Sequence, residues 1–376
     1  MNMDALARHV GVSKSYISLL ESGGRQPSRD VVIQIASAFG GEEAKGLRDE
    51  LLVLAGFAPV NTRSIAAYQD ALAIYEQALA DHPDDIQVYS RLVLALIKAG
   101  RQAQAQDRIQ QGLQHFTDVV QLQSLLAYLE LSKGHFEAAL LNQETALRQF
   151  ELRPEQAVVG GLRRADLNFN LGSIHFMRGY AAQARYLQDQ LDAERQSALA
   201  SFAQAEALFD LALGEAPDDA YMLDELARLR FNIAYLQPSP EAWQAAISSY
   251  RRVLTSPNKL NLASQQLMES AAFLAHAYTQ NQDFDAAELT LGLLSSFNPD
   301  YWLVHYLEAC LCSQRHSHSS QMADLDRALA ALERAFDRDT YDQAHHEAVQ
   351  DPDLKTLRSL RKAEFAKLLK KEKSPL

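Results

Sequence analysis

Cysteine is nearly absent from this sequence, which has 2 cysteines in 376 residues. Cys310 and Cys312 are too few for a disulfide framework, and such low usage is typical of a reducing compartment. The sequence also lacks an apolar run long enough to span a bilayer, and its first residues form no basic-then-apolar signal. We therefore expect a cytoplasmic protein with no membrane segment.

Glycine and proline are sparse, at 16 and 11 residues, which excludes collagen-like and low-complexity classes. Basic residues are fewer than acidic ones: the sequence has 36 Lys and Arg and 48 Asp and Glu, which gives a net charge of -12. A field of this sign repels phosphate, so the sequence excludes a protein that coats nucleic acid non-specifically. Any contact with nucleic acid must come from a small local patch.

Patterns typical of strands and of catalytic sites are missing as well. The sequence has no sustained period-two alternation, no phosphate-binding loop, no dinucleotide-binding turn and no nucleophile elbow. Good helix formers dominate instead, and apolar residues recur at spacings of three and four. The sequence predicts an all-α fold, and we expect neither enzymatic activity nor a cofactor.

One short segment, Cys310-x-Cys312-x3-His316-x-His318, contains four side chains that are possible zinc ligands. On a helix, however, Cys310 and Cys312 lie about 200° apart, so the two thiols cannot readily face one ion. We expect two core cysteines followed by a polar loop, and no metal site.

The first 60 residues divide into short predicted helices separated by glycine and proline. These helices cover 2–9, 14–22, 29–39 and 42–55. Ser13 is the predicted N-cap of the second helix. The stretch 59–63 is the predicted boundary between a domain at 1–60 and the rest of the chain.

Ala7, Gly11 and Ile17 are spaced by four and six residues, as a helix-turn-helix requires. In such a pair a small residue lets the second helix cross close by, glycine takes the turn, and a β-branched residue locks the helices together. Three further segments fit: Ser-Tyr-Ile-Ser-Leu-Leu-Glu-Ser-Gly at 15–23, Arg-Gln-Pro-Ser at 25–28 and Ile-Ala-Ser-Ala-Phe at 35–39. With Leu-Leu-Val-Leu-Ala-Gly-Phe-Ala-Pro at 51–59, this region resembles the phage-repressor-like, or XRE, family.

By that resemblance, residues 14–22 form the recognition helix, which enters the major groove of DNA. The residues assigned to DNA are Lys14, Ser15, Ser18 and Leu19 at base edges, and Tyr16 and Arg25 at backbone phosphates. The family normally has a helix before this pair, whereas this chain begins at the pair. We expect that this first helix is missing because the start codon is assigned too far downstream; the alternative is a domain that has lost a wall of its core.

From residue 64 onward a repeat of helices ending at proline appears. Its clear copies are Ala71/Tyr75/Ala78/Pro83, Ala205/Phe209/Ala212/Pro217 and Ala287/Leu291/Leu294/Pro299. Its degenerate copies are Ala105/Ile109/Gly112, Ala139/Gln143/Ala146, Ala246/Tyr250/Val253 and Ala328/Leu332/Ala335. Small residues let neighbouring helices approach, the large residue fills the groove between them, and proline stops the helix.

This pattern resembles the tetratricopeptide repeat, whose helix pairs stack into a right-handed solenoid. The resemblance covers 64–350, in six or seven units. One unit is over-long between 178 and 200, which predicts lengthened helices or an added one. A capping helix and tail are expected at 351–376.

Such arrays bind an extended peptide or a partner helix in a groove lined by the first helix of each pair. Asn170 and Asn232 occupy matching places in two first helices, and Arg164 and Arg228 lie nearby. These amides could hold a peptide backbone and the arginines a carboxylate. The alternative is that the asparagines bond within the array and the arginines are solvated.

The layout is similar to that of peptide-sensing quorum regulators. The leading hypothesis is a homodimeric regulator that binds a palindromic operator in double-stranded DNA and a peptide or protein effector. One alternative is a protein-interaction scaffold with a vestigial helix-turn-helix that does not bind DNA. A second is a regulator controlled by a partner protein, such as a phage or toxin–antitoxin component.

Overall fold

The computed structural model describes residues 3–10, 12–21, 29–40, 65–116, 119–152, 162–339 and 343–370. These residues form α-helices and two short 3-10 helices, and no strand occurs among them. The predicted all-α fold is thereby confirmed. The chain divides into two compact units, Met1–Pro217 and Asp218–Leu376.

Ten helices are described in the first unit. They are α1 (Met3–Val10), α2 (Lys14–Glu21), α3 (Arg29–Gly40), α4 (Ile65–Asp81), α5 (Ile86–Lys98), α6 (Gln102–His115), α7 (Val120–Ser132), α8 (Phe136–Leu152), α9 (Arg164–Asp189) and α10 (Asp192–Glu215). From α5 onward they pack as consecutive pairs, α5 with α6, α7 with α8, and α9 with α10. The predicted helix at 42–55 and the predicted boundary at 59–63 lie outside the described residues.

The second unit continues with paired helices. They are α11 (Ala220–Leu236), α12 (Pro240–Thr255), α13 (Ser264–Gln280), α14 (Phe284–Phe297), α15 (Trp302–Ser319), α16 (Met322–Arg338), α17 (Gln343–Gln350), α18 (Lys355–Leu360) and α19 (Lys362–Leu369). The single capping helix expected after residue 351 is wrong. Pro352–Leu354 is a 3-10 helix that Asp351 caps, and the backbone leaves the helical region at Arg361, between α18 and α19.

The positions of the predicted repeat face the cores of the two units. Those that are buried are Ala71, Tyr75, Ala105, Ile109, Gly112, Ala139, Gln143, Ala146, Ala205, Phe209, Ala212, Ala246, Tyr250, Val253, Ala287, Leu291, Leu294, Ala328, Leu332 and Ala335. Ala78 is only half-buried, and the three prolines that end the clear copies are exposed. The small and large residues thus fill the space between paired helices, as the sequence predicted.

Aspartates that follow the proline turns start the next helix of the array. Asp85 Oδ1 accepts from the backbone N–H of Gln87 at 2.8 Å, and Asp219 Oδ1 accepts from that of Tyr221 at 3.1 Å. Each carboxylate satisfies N–H groups that have no partner inside the helix. Local sequence therefore sets both helix starts.

The over-long unit consists of two lengthened helices, as predicted. α9 has 26 residues and α10 has 24. A Cβ on Gly172 would lie 2.7 Å from the ring of Phe209, and a Cβ on Gly179 would lie 2.6 Å from the ring of Phe202. Each glycine thus receives a phenylalanine ring, and the contact repeats after seven residues on both helices. The second contact extends the packing between α9 and α10 by about two helical turns.

Replacing Gly179 with alanine is expected to destabilise the first unit by up to about 2 kcal/mol. The new methyl would overlap the Phe202 ring, which costs about 1–3 kcal/mol, against about 1 kcal/mol gained in helix propensity. Denaturant unfolding of the full chain, followed by far-ultraviolet circular dichroism, measures the change. Gly214→Ala on α10 is the control, since nothing lies within 4 Å of its Cβ position. Equal loss in both variants would contradict the packing role of Gly179.

Candidate functional site

Ser13 begins the second helix of the N-terminal segment, as predicted. Its Oγ accepts from the backbone N–H of Tyr16 at 3.1 Å. In the preceding turn, the N–H of Val12 donates to the carbonyl of Ala7 at 3.0 Å. These two bonds fix the chain between α1 and α2 and set where α2 starts.

A small apolar core holds α1, α2 and α3 together. Ala7 of α1, Ile17 of α2, and Val32 and Ala36 of α3 are all buried, and α1 contacts both of the other helices. Ala7 and Ile17 are the small and β-branched residues that the sequence pattern required. Gly11, the third residue of that pattern, lies outside the described residues.

Beside the buried Ile17, one side of α2 faces solvent. Lys14 and Ser18 are exposed and lie one helical turn apart, whereas Tyr16 is half-buried. A cation and a hydroxyl on one exposed helix face can contact phosphate and base edges. The placement of the Ser15 and Leu19 side chains, and of Arg25, lies outside the described residues.

The second group of predicted site residues is divided between the two units. In the first unit, Asn170 of α9 donates through Nδ2 to Ser124 Oγ at 3.2 Å. Ser124 in turn donates to Gln143 Oε1 at 2.8 Å, and Gln143 Nε2 donates to the carbonyl of Leu167 at 3.0 Å. Asn170 therefore ends a polar chain that links α9, α7 and α8.

Asn232 of the second unit makes a different bond. Its Nδ2 donates to the carbonyl of Arg228 at 2.8 Å, one turn back on the same helix. Both asparagine amides thus bond within the array, as the alternative interpretation stated. Those bonds do not test effector binding, so the assignment of Asn170 and Asn232 to an effector stays a prediction.

Arg164 and Arg228 are both paired with carboxylates of their own unit. Arg164 donates to Glu151 at 3.1 Å between exposed side chains, and Arg228 donates to Glu225 at 3.3 Å. Burial raises the pKa of Asp224 and of Glu225, and the nearby Arg228 opposes both shifts. Arg228 therefore compensates buried acid in α11.

Cys310 and Cys312 have different neighbours, but the polar loop expected after them is wrong, because α15 continues through His316 and His318 to Ser319. Burial raises the pKa of Cys310 well above its usual range, and Asp351 and Asp353 add to the shift. Cys312 lies near Arg327 and Arg315, which partly offset burial, and its pKa is about 11. His316 meets the carbonyl of Gln321 at 2.7 Å. His318 Nδ1 likewise lies 3.0 Å from the carbonyl of Gln314.

A second group of possible ligand atoms, which the sequence pattern does not suggest, lies at the C-terminal end. Cys310 Sγ and carboxylate oxygens of Asp351 and Asp353 lie within 4.8 Å of one another. Tyr306 donates to Asp351 at 2.7 Å, and His276 bonds to Asp353 at 2.8 Å. Because the carboxylates are engaged and the thiol is held protonated, this group acts as a structural polar cluster.

No helix among the described residues is both long enough and apolar enough to cross a membrane.

Comparison with known families matches two segments of the chain. A model described as "Helix-turn-helix" matches residues 1–45, where α1, α2 and α3 lie. A model described as "Tetratricopeptide repeat" matches residues 66–129, which include α4 to α6. The chain joins a helix-turn-helix to tetratricopeptide repeats. No curated protein matches it.

Several solved structures are similar to this helix-turn-helix and repeat protein. BtubC from P. vanneervenii is 18% identical, with 62% of this chain and 89% of that one covered and a TM-score of 0.38. The C-terminal part of a repeat protein from Cytophaga hutchinsonii is 15% identical, with 74% and 93% covered and a TM-score of 0.43. A tetratricopeptide repeat protein from Parabacteroides merdae is 15% identical, with 79% and 97% covered and a TM-score of 0.42. At these identities and TM-scores, the similarities indicate no function for the chain.

Proposed function

We propose that this protein is a cytoplasmic, sequence-specific DNA-binding regulator that acts as a homodimer and binds a peptide or protein effector through its repeats. The observation that supports DNA binding most directly is the arrangement of α2. Ile17 anchors the helix in the core, and Lys14 and Ser18 stand exposed one turn apart on the side next to it. This is the arrangement of a recognition helix that enters the major groove.

The net charge of -12 sets the kind of DNA binding that the protein can have. Because the overall field repels phosphate, affinity must come from a few contacts at one site. A single short helix reads too few bases for such a site, so two copies are required on a palindromic operator.

The repeats support the effector part of the proposal. First helices of successive pairs contact one another, α5 with α7 and α7 with α9 in the first unit, and α11 with α13 and α13 with α15 in the second. A row of adjacent first helices is the surface on which tetratricopeptide arrays receive a peptide or a partner helix. In the second unit this row carries the carboxylates of Asp224, Glu225 and Glu269 near Arg228. An effector that binds there must be compatible with these acidic side chains.

Selection of bound genomic fragments by the full chain tests DNA binding, and we expect enrichment of a palindrome. With the selected fragment, Lys14→Ala should weaken binding and lower the slope of log K against log salt by about one counterion. The slope should fall because one cation fewer displaces counterions from DNA.

Lys98→Ala is the matched control, because it removes the same charge from an exposed position on α5. Its salt slope should equal that of the unmodified protein. If no fragment is enriched, the protein is not a DNA-binding regulator and the alternative hypothesis of a protein-interaction scaffold is favoured. An equal decrease of the salt slope in both variants would contradict the role of Lys14.

A further inference from the structure

The far half of α9 carries a row of exposed apolar side chains. Met177 is 45% exposed, Tyr180 is 51% exposed and Leu187 is 45% exposed, and Ala184 is also exposed. Their spacings are three, four and three, which places them within about 80° of one another around the helix. We call these four residues the α9 stripe. A seam of this spacing is typical of helices that pack against a second helix.

Three of the four residues of the α9 stripe, Tyr180, Ala184 and Leu187, lie on the part of the hairpin that extends past the Arg178–Glu137 ion pair. Near the start of α8, the guanidinium of Arg178 lies 3.3 Å from Glu137, which is in the first turn of that helix. Because α8 begins at Phe136, residues 179–189 of α9 extend for about 16 Å beyond this ion pair, alongside α10. Gly179 and Phe202 hold this extension to α10, which leaves the stripe on its open side.

The stripe is complementary to itself when two copies run antiparallel. Centred on position 182, Met177 meets Leu187 of the second copy, and Tyr180 meets Ala184. Met177 and Leu187 would then pack against each other across the interface. The small Ala184 would leave space for the Tyr180 ring. The antiparallel orientation pairs a large residue with a small one at the Tyr180 position. In a parallel dimer Tyr180 would instead pack against Tyr180 of the other copy.

Charge does not oppose this packing. Ala181 and Gln188, which flank the stripe, are uncharged. The nearest cations are already paired inside the chain, Arg178 with Glu137 at 3.3 Å and Arg185 with Glu194 at 2.9 Å. Both arginines lie well outside the stripe around the helix, so neither charge enters the seam.

The size of the patch fits a second copy of the chain. The stripe, with Leu191 in the turn that follows at 56% exposure, leaves roughly 400 Å² of apolar surface per copy, in the range where exposed patches are commonly functional. Two copies with their flanking residues bury on the order of 1,000 Å², the lower end for specific interfaces.

We infer that the α9 stripe is the dimer contact of this protein, and that two copies pair antiparallel along the extended α9–α10 hairpin. The inference deepens the proposed function, since it assigns the surface that brings two helix-turn-helix segments together. It also accounts for the added length of α9 and α10, which the repeat itself does not require.

Sedimentation of the full chain across micromolar concentrations tests the interface. We expect the unmodified protein to be a dimer, and Met177→Lys and Leu187→Glu each to raise the dissociation constant at least 100-fold. The double variant Met177→Lys/Leu187→Glu should recover most of the dimer, because the antiparallel register sets Lys against Glu of the other copy. The two positions lie about 15 Å apart within one helix, so they cannot pair inside one chain.

Leu211→Glu on α10 is the control, because Leu211 is 60% exposed and lies outside the stripe. It should leave the dimer intact, and circular dichroism should show that all variants keep their helix content. A monomeric unmodified protein, a dimer that survives both single substitutions, or a double variant that stays monomeric would overturn the proposal.

Different results would contradict the proposed interface and the proposed DNA binding. If the protein selects a palindrome and Leu187→Glu dimerises as before, the regulator stands and the interface is wrong. If the charge exchange restores the dimer and no DNA is selected, the interface stands and DNA binding is wrong.

Discussion

Replacing Asp353 with alanine is expected to destabilise the second unit by about 3–5 kcal/mol, the usual cost of removing one partner of a buried ion pair. Asp353 lies in the 3-10 helix after α17 and is buried. Its Oδ2 meets His276 Nε2 at 2.8 Å and accepts from Gln280 at 2.7 Å. Its Oδ1 accepts from Gln314 at 2.8 Å. Alanine would remove the carboxylate that all three groups share as a partner.

The same pair makes stability depend on pH. Burial opposes the charge on His276, but Asp353 outweighs it, so the pKa of His276 is raised above 6.5. This contribution is complete below pH 6.5 and is lost as the pH rises through the higher folded value. Burial raises the pKa of Asp353, but the bonds from His276, Gln280 and Gln314 lower it by more. The pKa of Asp353 is therefore below its usual value of 3.8. That contribution is lost only as the pH falls through the lower folded value.

Tryptophan fluorescence can follow this prediction, because both tryptophans, Trp243 and Trp302, lie in the second unit. The difference in unfolding free energy between the unmodified protein and Asp353→Asn should be largest near pH 5–6 and should shrink above the folded pKa of His276. Asp300→Ala is the control: its 85% exposed side chain pairs with Arg338 at 3.4 Å, and such pairs contribute little. A difference that grows toward alkaline pH would contradict the charged pair.

Ile17→Ala is expected to abolish DNA binding by unfolding the helix-turn-helix. Ile17 is 2% exposed, and truncating such a side chain costs about 2–5 kcal/mol. The loss is comparable to the whole stability of a small domain. The repeats should stay folded, since their cores are built from other residues.

Hydrogen exchange of the full chain measures this directly. Amides of α1, α2 and α3 should lose protection in Ile17→Ala, whereas those of α5 to α10 should keep it. Ser18→Ala, an exposed change on the same helix, should keep protection everywhere and alter only which DNA sequence is preferred. Retained protection of α2 in Ile17→Ala would show that Ile17 does not anchor the recognition helix.

Much of the local structure followed from sequence because its causes are local. Ser13 caps the helix that follows it, as predicted, and Asp85 and Asp219 do the same because of their residue type and position. The small and large residues of the repeat are buried because helical periodicity alone sets their common face. The one capping helix expected after 351 failed, since nothing in its period marks the break at Arg361.

The sequence by itself determined that this protein has an all-α fold, that its first 60 residues contain a helix-turn-helix, and that paired repeats follow. These features depend on side-chain size, capping and spacing within a few turns. Only the tertiary structure decided that Asn170 bonds to Ser124, that Asp353 meets His276, and that most of the α9 stripe lies past the Arg178–Glu137 ion pair. Such pairings join residues far apart in the chain, and spacing along one helix does not state which neighbour covers an apolar face or leaves it open.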